Sequence, residues 1–207
     1  METIFHIMST NKNSVVITVS KIISNFFNPL TSMLIYFIWF SNRNFTFNES
    51  LGHFLPILII IIIPISVWII WNVMTGRYTN LDVSDRNQRK SLYVFILLVT
   101  IIYLIFDYLK NEKVDLVMLF TLILLVLMQV SNFFIKSSMH TAFNVFVAGL
   151  FYSENKFLGF IWLGIAFLVG ISRIILKRHT PKEVVSGTII ALLVSFAYIY
   201  TKNQIIH

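Results

Sequence analysis

The sequence predicts an all-α, multi-pass transmembrane helical bundle of about six or seven spans, and three observations predict it. Hydrophobic residues make up 57% of the 207 residues and charged ones only 12%. Soluble domains carry roughly 25% charged residues, so too little polar surface is present to coat a water-soluble globule. Apolar runs near the length needed to cross a hydrocarbon layer of about 30 Å, around 20 helical residues, recur along the chain. The polar residues gather in short stretches between those runs.

The first run, Ile22 to Phe40, opens with Asn25, Asn28 and Pro29, residues that start or break a helix. Residues 1–21 ahead of it are polar and show no cleavable signal pattern, so they read as an interfacial N-terminal segment. Phe54 to Met74, Leu92 to Leu109 and Val114 to Ile135 follow. The fifth run, His140 to Tyr152, is short, and Ser137 to Met139 complete it at a water-accessible mouth. Phe157 to Leu176 and Val184 to Thr201 close the series. Trp39, Trp68, Trp71 and Trp162 fall towards run ends and read as interfacial anchors. No linker, composition shift or internal repeat divides the chain, so residues 1–207 read as one transmembrane domain.

Sixteen Lys and Arg against nine Asp and Glu give a net charge of +7. Nucleic-acid binding needs a solvent-exposed basic face, which this composition cannot build, so the excess is expected to meet lipid headgroups or an anionic substrate. Cysteine is absent, which removes disulfides, thiolate metal sites and cysteine nucleophiles together. Chemistry must rest on His, Ser and carboxylates. No His and carboxylate set has a metal-ligand spacing, so neither a metal nor another cofactor is expected.

The ionisable and polar residues concentrate in three places: the loop from Arg77 to Ser91 with Asp82, Asp85, Arg86, Arg89 and Lys90; the stretch Lys136, Ser137, Ser138, Met139, His140; and Ser172, Arg173, Lys177, Arg178, His179 and Glu183. Two spans separate the first place from the second, and two the second from the third, so all three emerge on one membrane face. Random placement passes that parity test about one time in four, by counting alternating faces. Three polar clusters on one face can converge into one site.

Those residues carry a resemblance. Ser138-Met139-His140-Thr141-Ala142 resembles the Pro-Ser-Gly-His-Thr-Ala segment of the type-2 phosphatidic acid phosphatase family, whose core is shared with histidine phosphatases and haloperoxidases. Ser172-Arg173, five residues, His179, three residues and Glu183 resemble its Ser-Arg-x5-His-x3-Asp segment, and the likeness extends through Val184 to Gly187. The loop from Asp82 to Ser91 stands where the family carries Lys-x6-Arg-Pro; here Arg86 and Arg89 follow Asp82 or Ser84 in place of the usual Lys. Met139 replaces Gly, Ser137 replaces Pro and Glu183 replaces Asp. The resemblance spans about residues 54–201, which implies a phosphatase-like core over that stretch.

The residues make chemical sense for phosphoryl transfer through a covalent intermediate. A phosphate ester needs fixed positive donors, which Arg86, Arg89 and Arg173 supply as guanidinium forks, with Ser138 and Lys90 adding hydrogen bonds. Neutral His179 would attack phosphorus while Glu183 takes its other ring N–H, and His140 would protonate the leaving oxygen and then activate water. The resemblance implies the same roles and adds Ser172 beside Arg173 as phosphate-binding. Each residue also has a plainer reading. Thr180-Pro181-Lys182-Glu183 is a good capping box, so Glu183 can cap the last helix; His140, at a helix start, can be an interfacial or capped histidine; and Arg86, Arg89 and Lys90 can form a solvated positive-inside cluster.

Two function classes follow. One is an integral membrane lipid phosphatase acting on a monoester or diphosphate, such as phosphatidic acid, phosphatidylglycerophosphate, a polyprenyl diphosphate or a lipid A phosphate. The alternative is a non-catalytic anionic-lipid binder or transporter on the same scaffold. Few Gly and Pro and charges placed at helix ends favour the enzyme. The expected partners are the phospholipid or polyprenyl phosphate substrate and membrane lipids, and the expected location is a bacterial inner membrane. The face that carries the site and the oligomeric state are left open by the sequence.

Overall fold

In the computed structural model the chain is described at residues 2–83 and 85–206, with side chains described for 14–83 and 85–205. Ser84, one of the two residues offered in place of a lysine, lies outside the described residues. Helix α1 (Glu2–Phe26) leads into α2 (Pro29–Asn44). Asn28 ends the first and begins the second: its side chain accepts the Thr31 N–H at 3.1 Å, and Pro29 takes the first helical position, where no N–H is needed. The two helices bend by 56° at this point, so the expected single run from Ile22 to Phe40 is broken in its first third.

Helix α3 (Phe47–Ile57) starts on a capping box of Thr46 and Glu49 and continues through a π-helical turn, Leu58–Ile62, into α4 (Ile63–Met74). Pro56 and Pro64 flank that turn. A proline inside a helix removes one N–H and crowds the preceding carbonyl, and a wider turn absorbs both defects without ending the helix. Then come α5 (Arg86–Asn111), α6 (Leu116–Phe134), α7 (Met139–Glu154), α8 (Lys156–Ile175) and α9 (Pro181–Ile206). Among the described residues every regular element is helical, and the architecture is an all-α multi-pass bundle.

Among the described residues five helices are long and apolar enough to cross a membrane: Phe47–Met74, Arg86–Asn111, Leu116–Phe134, Lys156–Ile175 and Pro181–Ile205. The bent α1–α2 pair brings the number to six, at or below the lower end of the six or seven expected. The difference lies in α7, whose 16 residues reach about 24 Å at 1.5 Å per residue.

Helix α7, though short, is the centre of the bundle. Thr141 through Ala148, with Leu150 and Phe151, are all buried. Phe146, Leu150 and Phe151 pack with Tyr36 of α2, Leu124 and Met128 of α6, Trp162 of α8 and Val194 and Tyr198 of α9. Trp162, expected at an interface, lies in this core between Phe27 and Phe151, with ring centroids 5.8 and 4.9 Å away. A second apolar cluster joins the α3–α4 run to α5 through Ile57, Ile61, Ile65, Val99 and Tyr103. The outward positions are also apolar, among them Ile59, Leu98, Ile102, Phe160, Phe167, Leu193 and Phe196, all exposed. That apolar exterior is what a lipid-facing surface requires, and these features together mark an integral membrane protein.

Candidate active site

Three loops meet at one end of the bundle, the face expected when short α7 is counted as one traverse of the chain: residues 75–85 before α5, 135–138 before α7 and 176–180 before α9. Each is fixed by local hydrogen bonds. Tyr78 Oη, between Trp68 Nε1 at 3.1 Å and Ser91 Oγ at 2.8 Å, ties the first loop to α4 and α5. Asp85 caps α5 by accepting the Asn87 and Gln88 N–H groups. Ser138 caps α7 through Thr141. Its backbone N–H donates to the Glu183 carbonyl at 3.0 Å, which joins the second loop to α9. Gly187 permits that approach, since a Cβ there would stand 2.7 Å from the Ser138 carbonyl oxygen.

Within this frame His179 is buried, and its ring is held at both nitrogens. Nδ1 lies 2.9 Å from Glu183 Oε2, and Nε2 lies 3.3 Å from Arg89 Nη2. A carboxylate accepts only and a guanidinium donates only, so the pair of contacts selects one tautomer: Nδ1–H donates to Glu183, and Nε2 presents its lone pair towards Arg89. Burial first, then the positive charges of Arg89, Arg173 and Lys136 and the neighbouring His140, push the His179 pKa down to about 2, so the ring is neutral. Glu183 also accepts the Thr180 N–H at 3.0 Å, and Thr180 Oγ1 accepts the Glu183 N–H. The capping box and the histidine contact therefore coexist in one side chain.

Arg89 is buried in the same cluster. Its Nε donates to the Val83 carbonyl at 3.0 Å, and its Nη1 to the Ser137 carbonyl at 3.2 Å. Val83 is a buried β-branched residue at φ 45°, a conformation that costs on the order of 1 kcal/mol or more. Arg173, buried on α8, donates to Asp82 Oδ2 at 2.5 Å and to Ser24 Oγ at 2.9 Å. His140, buried in the first turn of α7, has its Nε2 3.5 Å from Asp82 Oδ1. Burial of Asp82 by itself favours the neutral acid, but His140, Arg173 and Arg89 outweigh it and hold the carboxyl below its usual range, so Asp82 is ionised. Lys136, half-buried between α6 and α7, donates to the Arg178 carbonyl at 3.2 Å; burial, with Arg89 and Arg173 nearby, lowers its pKa.

Of the residues singled out by sequence, His140, His179, Glu183, Arg89, Arg173 and Ser138 come together. Others do not. Arg86 turns away from the cluster, and its guanidinium donates to the Asn132 and Phe133 carbonyls at the end of α6. Those carbonyls lack helical donors, so a cation there caps the helix. Of the three guanidinium forks expected at the phosphate, Arg86, Arg89 and Arg173, the cluster thus holds Arg89 and Arg173. Lys90 is exposed on α5. Ser172 is buried, but its hydroxyl donates to the Leu168 carbonyl of its own helix at 2.8 Å. Met139, in place of a glycine, packs against the main core.

Three members of the cluster were not singled out from the sequence. Asp82 was named only as a residue standing where a lysine was expected, and Lys136 only as a member of its polar stretch. Ser24 reaches Arg173 from α1 and carries no local pattern that marks it. Asn144, one turn after His140, accepts from Ser32 Oγ and donates to the Phe27 and His140 carbonyls; it secures the α1–α2 bend against α7.

Comparison with curated proteins and with solved structures gives no match. One protein-family model matches, over residues 129–206. That stretch holds Ser138, His140, Arg173, His179 and Glu183 and stops short of Asp82 and Arg89. Members of the family are phosphatases, which supports a hydrolase of phosphoric esters. Residues 129–206 match the model of the PAP2 superfamily; the motifs at Ser138–Ala142 and Ser172–Gly187 lie inside that stretch, and the loop from Asp82 to Ser91 lies outside it.

Proposed function

We propose that this protein is a lipid phosphatase that hydrolyses a membrane-borne phosphate ester through a phosphohistidine at His179. The observation that carries the reading is the His179 ring itself: a neutral imidazole, oriented by Glu183 at Nδ1, with the Nε2 lone pair turned into a buried arginine cluster. In the first half-reaction Nε2 forms the bond to phosphorus as the bond to the leaving oxygen breaks, and His140, neutral before substrate binds and protonated from solvent as the anionic phosphoryl group enters, gives that oxygen its proton. In the second, now neutral His140 takes a proton from water, whose oxygen attacks phosphorus and releases Nε2. Glu183 stabilises the imidazolium-like ring in between, and Arg89, Arg173 and the Ser138 end of α7 neutralise the phosphoryl oxygens.

The lipid character of the substrate is supported by the absence of any sizeable extramembrane unit among the described residues, so a headgroup arriving laterally meets the polar end directly. The substrate class spans phosphatidic acid, phosphatidylglycerophosphate, polyprenyl diphosphates and lipid A phosphates, and the resemblance supports a bacterial inner membrane. The test is phosphate release by purified protein across that lipid panel, with acid-labile, base-stable labelling of the protein by a phosphate-labelled substrate. Release without label transfer to His179 removes the covalent mechanism. No release from any lipid removes the enzyme and favours the anionic-lipid binder.

A further inference from the structure

The cluster contains a charge that a phosphate site does not call for. Asp82 projects a carboxylate among the groups that would bind the phosphoryl oxygens, with Oδ2 against Arg173 at 2.5 Å. Oδ1 is buried and carries no hydrogen bond; His140 Nε2 lies 3.5 Å from it. The groups facing Asp82 come from every surrounding element. They are Arg89 of α5, Lys136 before α7, His140 of α7 and Arg173 of α8, with His179 and Glu183 beyond them and Arg178 exposed at the rim.

Two considerations follow from that arrangement. A buried acceptor without a donor is costly, and a ligand that brings an O–H removes the cost. A ligand that brings only anionic oxygens adds like charge beside an ionised carboxylate, which works against its binding. The charge balance agrees. Arg89, Arg173 and Lys136 against Asp82 and Glu183 leave one net positive charge among the buried and half-buried groups while both histidines are neutral. One monoanion neutralises it, and a dianion overshoots.

Resting on the phosphatase reading above, we propose that Asp82 makes this site selective for a phosphoryl group that still carries a proton, accepting that hydrogen bond on Oδ1 and disfavouring fully deprotonated dianions of the same size. Phosphate and sulfate separate the two cases. They are alike in shape, but at about pH 7 inorganic phosphate keeps an O–H in both its monoanion and its dianion, whereas sulfate has no proton to give.

The experiment is calorimetric titration of the purified full chain in detergent with inorganic phosphate and with sulfate, for wild type and Asp82→Asn. Wild type should bind phosphate at least about tenfold more tightly than sulfate. Asp82→Asn should bring the two affinities to within about threefold, through a gain for sulfate. The wild-type arms stand even if the variant does not fold. Phosphate and sulfate binding equally to wild type, or discrimination unchanged in Asp82→Asn, overturns the assignment of Asp82 and leaves the phosphatase reading in place. Phosphate failing to bind wild type at any pH overturns both.

Discussion

His179 and His140 are both buried imidazoles beside a carboxylate, but they acquire it in opposite ways. Glu183 sits four residues after His179, in the first turn of α9, which begins two residues past the histidine, and the contact at 2.9 Å is built by about one turn of backbone. Asp82 reaches His140 from a loop before α5, across the bundle, and stops at 3.5 Å while its other oxygen is committed to Arg173. The first pair is an orientation device that forms whenever the helix forms. The second depends on three elements arriving together, and its carboxylate serves an arginine before it serves a histidine.

The largest expected effect breaks the first pair. His179→Ala should abolish phosphate release while the protein keeps its melting behaviour in detergent, because no other nucleophile faces Arg89 from that position. Turnover retained in that variant would sink the mechanism. His140→Ala tests the second pair and should cost roughly 10²- to 10⁴-fold for a monoester, and less for a diphosphate, whose leaving phosphate needs little protonation. Equal losses for both substrates would remove His140 from the acid role.

Arg89 and Arg86 sharpen the same contrast between the cluster and its surroundings. Arg89→Lys should lower kcat/KM by about tenfold to a thousandfold, since a lysine cannot hold Val83, Ser137 and His179 together and a transition-state contact is lost. Arg86→Lys should leave the rate within about twofold and lower Tm by about 2 °C, through a weaker cap on α6. A rate loss of the same size in both would return Arg86 to the phosphate grip beside Arg89 and Arg173.

A smaller effect is expected in stability against pH. The folded pKa of His179, about 2, lies below the 6.5 of an unperturbed histidine, so between those values the unfolded chain binds more protons. The contribution is present in full above about pH 6.5 and is lost as pH falls towards about 2. Tm should therefore fall less steeply between about pH 6 and pH 4 in His179→Gln than in wild type. Identical slopes would show that the ring is protonated within the fold. The smallest expected change is none: excess chelator should leave phosphate release intact, because arginines supply the positive charge at the phosphoryl oxygens. An enzyme silenced by chelator and restored by zinc or magnesium would contradict that.

The sequence by itself determined the membrane class, the helical runs and the C-terminal histidine with its acid. These are properties of composition, of periodicity and of residues one turn apart, and each is settled within a few neighbours. It also carried the convergence of three polar loops, because parity of crossings is a counting rule. Only the tertiary structure decided which of two arginines three residues apart enters the cluster. Arg86 finds unsatisfied carbonyls at the end of α6 within reach, Arg89 finds Val83, Ser137 and His179, and neither set of acceptors is near in sequence. The same holds for Ser24, for Asp82 and for the burial of α7. Each depends on where distant helices place their ends, and a side chain's partner across a bundle is set by packing that no local pattern records.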